Sequence, residues 1–165
     1  MAFHLAQVNI GQPRGPIDGD VMREFVANLD PVNALADLAD GFVWRLQTED
    51  GNATAVSVFD DPSLIVNLSV WESIDALADF VYRRGHRDVM VRRREWFERM
   101  GDAFLALWWV PAGHRPSVAE AEDRLRHLRA EGPTAYAFTF RQLFPSPDVS
   151  IITELDDDRR GCPTS

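Results

Sequence analysis

The stretch Ser63 to Trp71, SLIVNLSVW, alternates without interruption and runs straight into a helix, which constrains the fold more than any other segment. Leu64, Val66, Leu68 and Val70 point to one side of a strand there, and Ile65, Asn67, Ser69 and Trp71 to the other. Ser73 is placed to cap the helix IDALADFVYRR, which stops at Gly85. A two-faced strand followed by an amphipathic helix is the repeating unit of a layered α/β protein.

The same period-two reading assigns strands to His4–Ile10 (HLAQVNI), to Phe42–Gln47 (FVWRLQ), to the run AFLALWWV ending at Val110, and to AYAFTFRQLF, residues 135–144. Helical spacing predicts a helix from Val21 to Leu29. A second follows, with Asp30 as N-cap, Pro31 at its first position and Gly41 just past its end. A further helix is expected over roughly Arg87 to Met100, and Ser117 with Glu120 forms an S-x-x-E capping box for one ending near Gly132. The order β-α-β-β-α-β followed by α-β predicts an α+β, ferredoxin-like domain with an extra C-terminal helix and strand. Residues 1–150 then form one domain, and 151–165 a polar, flexible tail. In such a fold the helices cover one sheet face and leave the other bare, and pairing two bare faces closes the core.

At 165 residues the chain is long enough to bury a core without covalent staples. Its one cysteine, Cys162, lies in the polar tail, which speaks against a disulfide framework, a thiolate cluster or a catalytic thiol and favours a reducing, cytoplasmic setting. No segment has the length of apolar residues that a membrane span or secretory leader needs. All seventeen basic residues are arginine, so neither a lysine Schiff base nor a P-loop lysine is available. No pair of histidines has zinc-site spacing, so no metal is expected, and no cofactor fingerprint is present.

The alternation also separates polar from apolar faces. If Ala6, Val8 and Ile10 of the first strand and Leu64 to Val70 of the third pack under helices, then Gln7, Asn9, Asn67, Ser69 and Trp71 share the open face. Amides, a hydroxyl and an indole on one side resemble the wall of a ligand cavity, the alternative being a solvated outer face. Trp108 and Trp109 point oppositely, so one belongs to the core and the other joins this wall; Tyr82 and Trp96 read as packing residues.

The most conspicuous segment, RRGHRDVMVRRREWFER (83–99), carries seven arginines in a chain of net charge −9. Its aromatic residues fall on the inner stripe rather than among the arginines, and the rest of the molecule would repel a phosphate backbone, so nucleic-acid binding is not expected. Helical phasing puts Arg93 within the apolar stripe of Val89, Met90, Trp96 and Phe97, with His86 on the same side. A buried guanidinium needs an acid such as Glu72 or Asp75, a ligand, or a route to solvent. His86, just after the Gly85 break, is a candidate base or hydrogen-bond anchor, or a junction-packing residue.

GFVWRL, WESIDALADFVYRRGHRDVMVRRREWF, LWWVPAGHRPSVAEAEDRL and GPTAYAFTF, in order between Phe3 and Phe144, resemble an uncharacterised domain-of-unknown-function family of the dimeric α/β-barrel superfamily. That resemblance implies a ferredoxin-like homodimer. A wider similarity is to the antibiotic biosynthesis monooxygenases, many of which oxidise aromatic, polyketide-derived compounds without metal or flavin, with Asn, Trp and His around an enclosed pocket. Asn67, Trp71 and His86 correspond by position. The resemblance thus implies a cofactor-independent monooxygenase-like enzyme with Asn67, Trp71 and His86 at its site; the polar, aromatic face adds Gln7, Asn9, Ser69 and Trp108 or Trp109 as contacts to a small molecule, and helical phase adds Arg93 as a group acting with His86 and Asn67. The alternatives are a non-catalytic small-molecule-binding dimer, a haem-binding relative using His86 or His114, or an isomerase or cyclase of the same superfamily.

Overall fold

The structure, a computed structural model, describes residues 2–47, 59–83 and 92–148. Its centre is a four-stranded antiparallel sheet of β1 (Phe3–Gly11), β2 (Phe42–Arg45), β3 (Ile65–Trp71) and β4 (Leu105–Pro111), in the order β2-β3-β1-β4. Helices α1 (Arg23–Asp37) and α2 (Ile74–Arg83) connect the strands, followed by a single helical turn α3 (Arg93–Trp96) and, after β4, by α4 (Val118–Glu131). This is the expected α+β, ferredoxin-like arrangement with an added helix. Among the described residues no helix is long and apolar enough to cross a membrane.

Local chemistry accounts for the helix starts. Ser73 Oγ accepts from the Ala76 N–H (3.1 Å), and Ser117 Oγ from the Glu120 N–H (3.1 Å), so both predicted caps satisfy a first-turn donor. Gly132, at φ +75°, takes the left-handed turn that ends α4.

Four expectations change. The two helices predicted across 21–40 are one, and Pro31 lies inside it. Pro31 is exposed, where the helix can open towards water and relieve the ring's clash with the preceding turn. Within the described part of 87–100 only Arg93–Trp96 is helical. Phe97 is already extended and bridges Pro13, because burying Trp96 and Phe97 beside Met22 requires the chain to turn into the core there. The last predicted strand, 135–144, makes only isolated bridges, Leu107 with Phe138 and Thr139 with Gln142. The expected tail, 151–165, lies outside the described residues.

The fourth change concerns the faces. Ala6, Val8, Ile10, Val66, Leu68, Val70, Ala106 and Trp108 are each at most 2% exposed, and the helix they pack with is α4, through Ala121, Leu125 and Leu128. The opposite face carries Leu5, Trp71 and Leu107 against Ala36 of α1, Leu77 and Phe80 of α2, and Phe138. Gln7, Asn9, Asn67 and Ser69 share this second face by strand alternation. The polar wall is therefore not a bare face: α1 and α2 lie over it, with Asn67 still exposed in the space between. An additional C-terminal helix can cover the face that a bare ferredoxin-like sheet exposes.

Candidate functional site

Strand register builds the floor of the site. In the β1–β3 ladder Gln7 stands opposite Ser69 and Asn9 opposite Asn67, so four polar side chains meet on one patch. Gln7 Nε2 donates to both Asn67 Oδ1 and Ser69 Oγ, the latter at 2.8 Å, and Gln7 Oε1 accepts from Asn9 Nδ2 at 3.3 Å. Trp71 Nε1 also donates to Ser69 Oγ, at 2.9 Å. Gln7, only 4% exposed, thereby engages both its amide N–H groups and its carbonyl, which makes it a fixed post. Asn67 Nδ2 and Asn9 Oδ1 are left without a protein partner among the described residues, a donor and an acceptor side by side.

Above this floor is a cavity of about 200 Å³. α1 contributes Phe25, Asn28, Leu29, Val32 and Asn33, and α2 contributes Leu77, Val81 and Tyr82. Leu105, Phe104 and Phe140 form one side, and Arg93, Trp96 and Phe97 close one end. Phe97 fits because Gly11 lies under it: a Cβ there would come within 2.6 Å of the ring.

Arg93 is the group that gives the cavity its charge. Its Nη2 donates to the Ile10 carbonyl at 2.9 Å, and its guanidinium carbon lies 5.0 Å from the Phe97 ring centre and 4.8 Å from that of Phe104. Neither Glu72 nor Asp75 pairs with it, which corrects the ion-pair alternative: among the described residues no carboxylate reaches it, and burial alone lowers its pKa. Guanidinium is nevertheless charged at neutral pH. The other lining arginine, Arg45, pairs with Asp37 at 2.8 Å. Among the described residues no Asp or Glu lines it, although the chain carries 26 of them. Arg92 fastens the neighbouring end by pairing with Glu24 of α1 and with Glu95, and it stacks over Trp96.

The structure thus brings Gln7, Asn9, Asn67 and Arg93 to one cavity. Ser69 and Trp71 support its floor without lining it; Trp71 is 1% exposed and stacks on Phe80. Trp108 belongs to the core on the α4 side, and Trp109 is on the cavity's side of the sheet but outside its lining, donating to the Phe144 carbonyl. Tyr82 and Trp96, read as packing residues, both line the cavity. His114 bonds Glu120 at 2.8 Å, away from the cavity lining. His86 lies outside the described residues.

Sequence reasoning missed Phe25, Asn28, Asn33, Phe97, Phe104 and Phe140. For α1 the signal was present, since residues 25, 28, 29, 32, 33 and 36 form one helical stripe once the helix runs through Pro31.

No curated protein sequence matches the chain. Among solved structures it resembles the cofactor-independent oxygenase SnoaB from Streptomyces nogalater, with 18% identity and a TM-score of 0.46 over 69% of this chain and 97% of that one. Rv0793 from Mycobacterium tuberculosis gives 16% identity and 0.45 over 69% and 99%. NE2512 from Nitrosomonas europaea, a protein of unknown function, gives 13% and 0.42 over 70% and 96%. The family profile described as domain of unknown function DUF3291 matches residues 4–154, nearly the whole described chain, and this protein belongs to that family.

Proposed function

We propose that the cavity between the sheet and α1/α2 binds a small aromatic or polyketide-derived molecule and oxidises it as a cofactor-independent monooxygenase would. One observation carries this reading: a hydrogen-bonded amide floor and an arginine with no carboxylate partner among the described residues sit in a cavity whose remaining lining is mostly aromatic and aliphatic. Planar rings of the ligand pack against Phe25, Phe97, Phe104 and Phe140. Asn67 Nδ2 donates to a ligand oxygen, Asn9 Oδ1 accepts from a ligand hydroxyl, and Arg93 stabilises the oxyanion formed when the substrate loses a proton. Gln7, Ser69 and Trp71 hold Asn67 and Asn9 in place.

His86 is the proposed base. In the balanced reaction an activated ring CH₂ and O₂ become a ring C=O and water: the deprotonated substrate supplies the electrons, and one oxygen atom is retained in the product. Oxygen uptake by the full chain with anthrone-type phenols tests this. Turnover is expected to fall at least about 100-fold in His86→Ala and in Asn67→Ala; normal turnover in both would sink the catalytic reading. The homodimer implied by the sequence resemblance is part of the proposal. It joins through a surface other than the face beneath α4, and light scattering at twice the chain mass tests it.

A further inference from the structure

The segment after α4 places one large apolar side chain where chains ordinarily place small or polar ones. Thr139 to Gln142 forms a tight turn, closed by the Gln142 N–H on the Thr139 carbonyl at 3.2 Å, and Phe140 is the first residue of its tip. Turn tips favour Gly, Pro, Asn, Asp and Ser because they are solvated and sharply bent. A phenylalanine at that position loses apolar burial unless something across from it accepts the ring.

Both limbs of the turn are clamped to β4. On one side Leu107 and Phe138 exchange two main-chain hydrogen bonds of 2.8 Å, and on the other Trp109 Nε1 holds the Phe144 carbonyl at 3.0 Å. Phe138 is fully buried, with Phe144 packed on it at 5.8 Å between ring centres. Phe140, between these anchors, is only half-buried. It lines the cavity and meets Tyr82, at the end of α2, edge-on at 6.0 Å. Tyr82 is itself 57% exposed, so this ring pair stands at the boundary between cavity and solvent.

We infer that Phe140 is the residue that determines which ring systems the cavity accepts, with Tyr82 as its counterpart across the opening. The clamps fix the turn, so the cavity's extent on that side depends on the size of the Phe140 side chain rather than on backbone movement. A smaller residue extends the cavity towards Tyr82; a larger one shortens it. This rests on the reading of the cavity as a site for a ring-bearing ligand.

The test uses the full chain and two anionic probes that differ by one fused ring, naphthalene-2-carboxylate and anthracene-2-carboxylate, with binding measured calorimetrically. The ratio of their affinities is expected to move about tenfold towards anthracene in Phe140→Ala and to move the opposite way in Phe140→Trp, the scale by which pocket size discriminates apolar groups. A residue that only supports the fold would not shift the ratio in opposite directions. A ratio unchanged within about twofold in both variants, with the wild-type chain binding at least one probe, overturns the inference and leaves the ligand reading standing. If neither probe binds the wild-type chain, both fall, because a wall sizes nothing in a site that takes no ring.

Discussion

Arg93 shows how far a single residue's role can be read from sequence. It does lie against apolar rings, those of Phe97 and Phe104, though not through the helical phase expected over 87–100, and neither Glu72 nor Asp75 pairs with it: its acceptor is the Ile10 carbonyl. A backbone acceptor leaves no trace in residue type, so spacing alone favours Glu72 or Asp75. The consequence is a half-buried cation whose desolvation is offset by one hydrogen bond and two aromatic faces. Arg93→Met keeps the length of the side chain and its contact with Phe97 and Phe104, while removing the desolvated charge. The urea midpoint is therefore expected to hold or rise. Affinity for naphthalene-2-carboxylate should fall about 10- to 100-fold, the worth of one or two charge-assisted hydrogen bonds. A variant that loses stability and keeps the affinity would make Arg93 a structural residue instead.

Among the elements, α1 was legible as helix but not as one helix. Asp30-Pro31 has the chemistry of a helix start, and dividing the chain there hides the stripe from Phe25 to Ala36 that roofs the cavity. Propensity lost to tertiary packing: the stripe buries its apolar side chains only if the helix continues, and Pro31 is tolerated on the solvent side. An interior proline costs about 3 kcal/mol relative to alanine, partly returned because it also restricts the unfolded chain by about 1 kcal/mol. Pro31→Ala should thus stabilise the protein by about 1–2 kcal/mol in urea unfolding, with probe affinity unchanged; a destabilised variant would mean that the proline itself is needed to place Phe25 and Asn28. The segment 135–144 failed in the other direction. Its alternation predicts a strand, yet the Thr139–Gln142 turn interrupts pairing after Phe138, and no periodicity distinguishes a strand from a clamped turn whose rings alternate between sheet and cavity.

At the scale of the whole molecule, alternation in β1 and β3 separated the two sheet faces correctly and assigned their covers the wrong way round. Gln7, Asn9, Asn67 and Ser69 were grouped by period two; what period two cannot tell is that α1 and α2 lie over the polar face and α4 over the apolar one. The result is a sheet with divided duties. Its Val8–Leu68–Trp108 face is sealed against α4, while its other face carries the amide floor of the cavity. These duties should separate experimentally. Leu125, fully buried on the sheet-facing side of α4, does not itself line the cavity, so Leu125→Ala should cost about 2–5 kcal/mol of stability. Well below its unfolding midpoint, that variant should still bind naphthalene-2-carboxylate like the wild type. Asn67, exposed to the cavity and outside the buried core, predicts the converse: Asn67→Ala should leave the urea midpoint within about 1 kcal/mol of wild type and weaken the same probe about tenfold. If Leu125→Ala reduced affinity as much as Asn67→Ala does while still folded, the two faces would be mechanically coupled, and the cavity would depend on the packing of α4 after all.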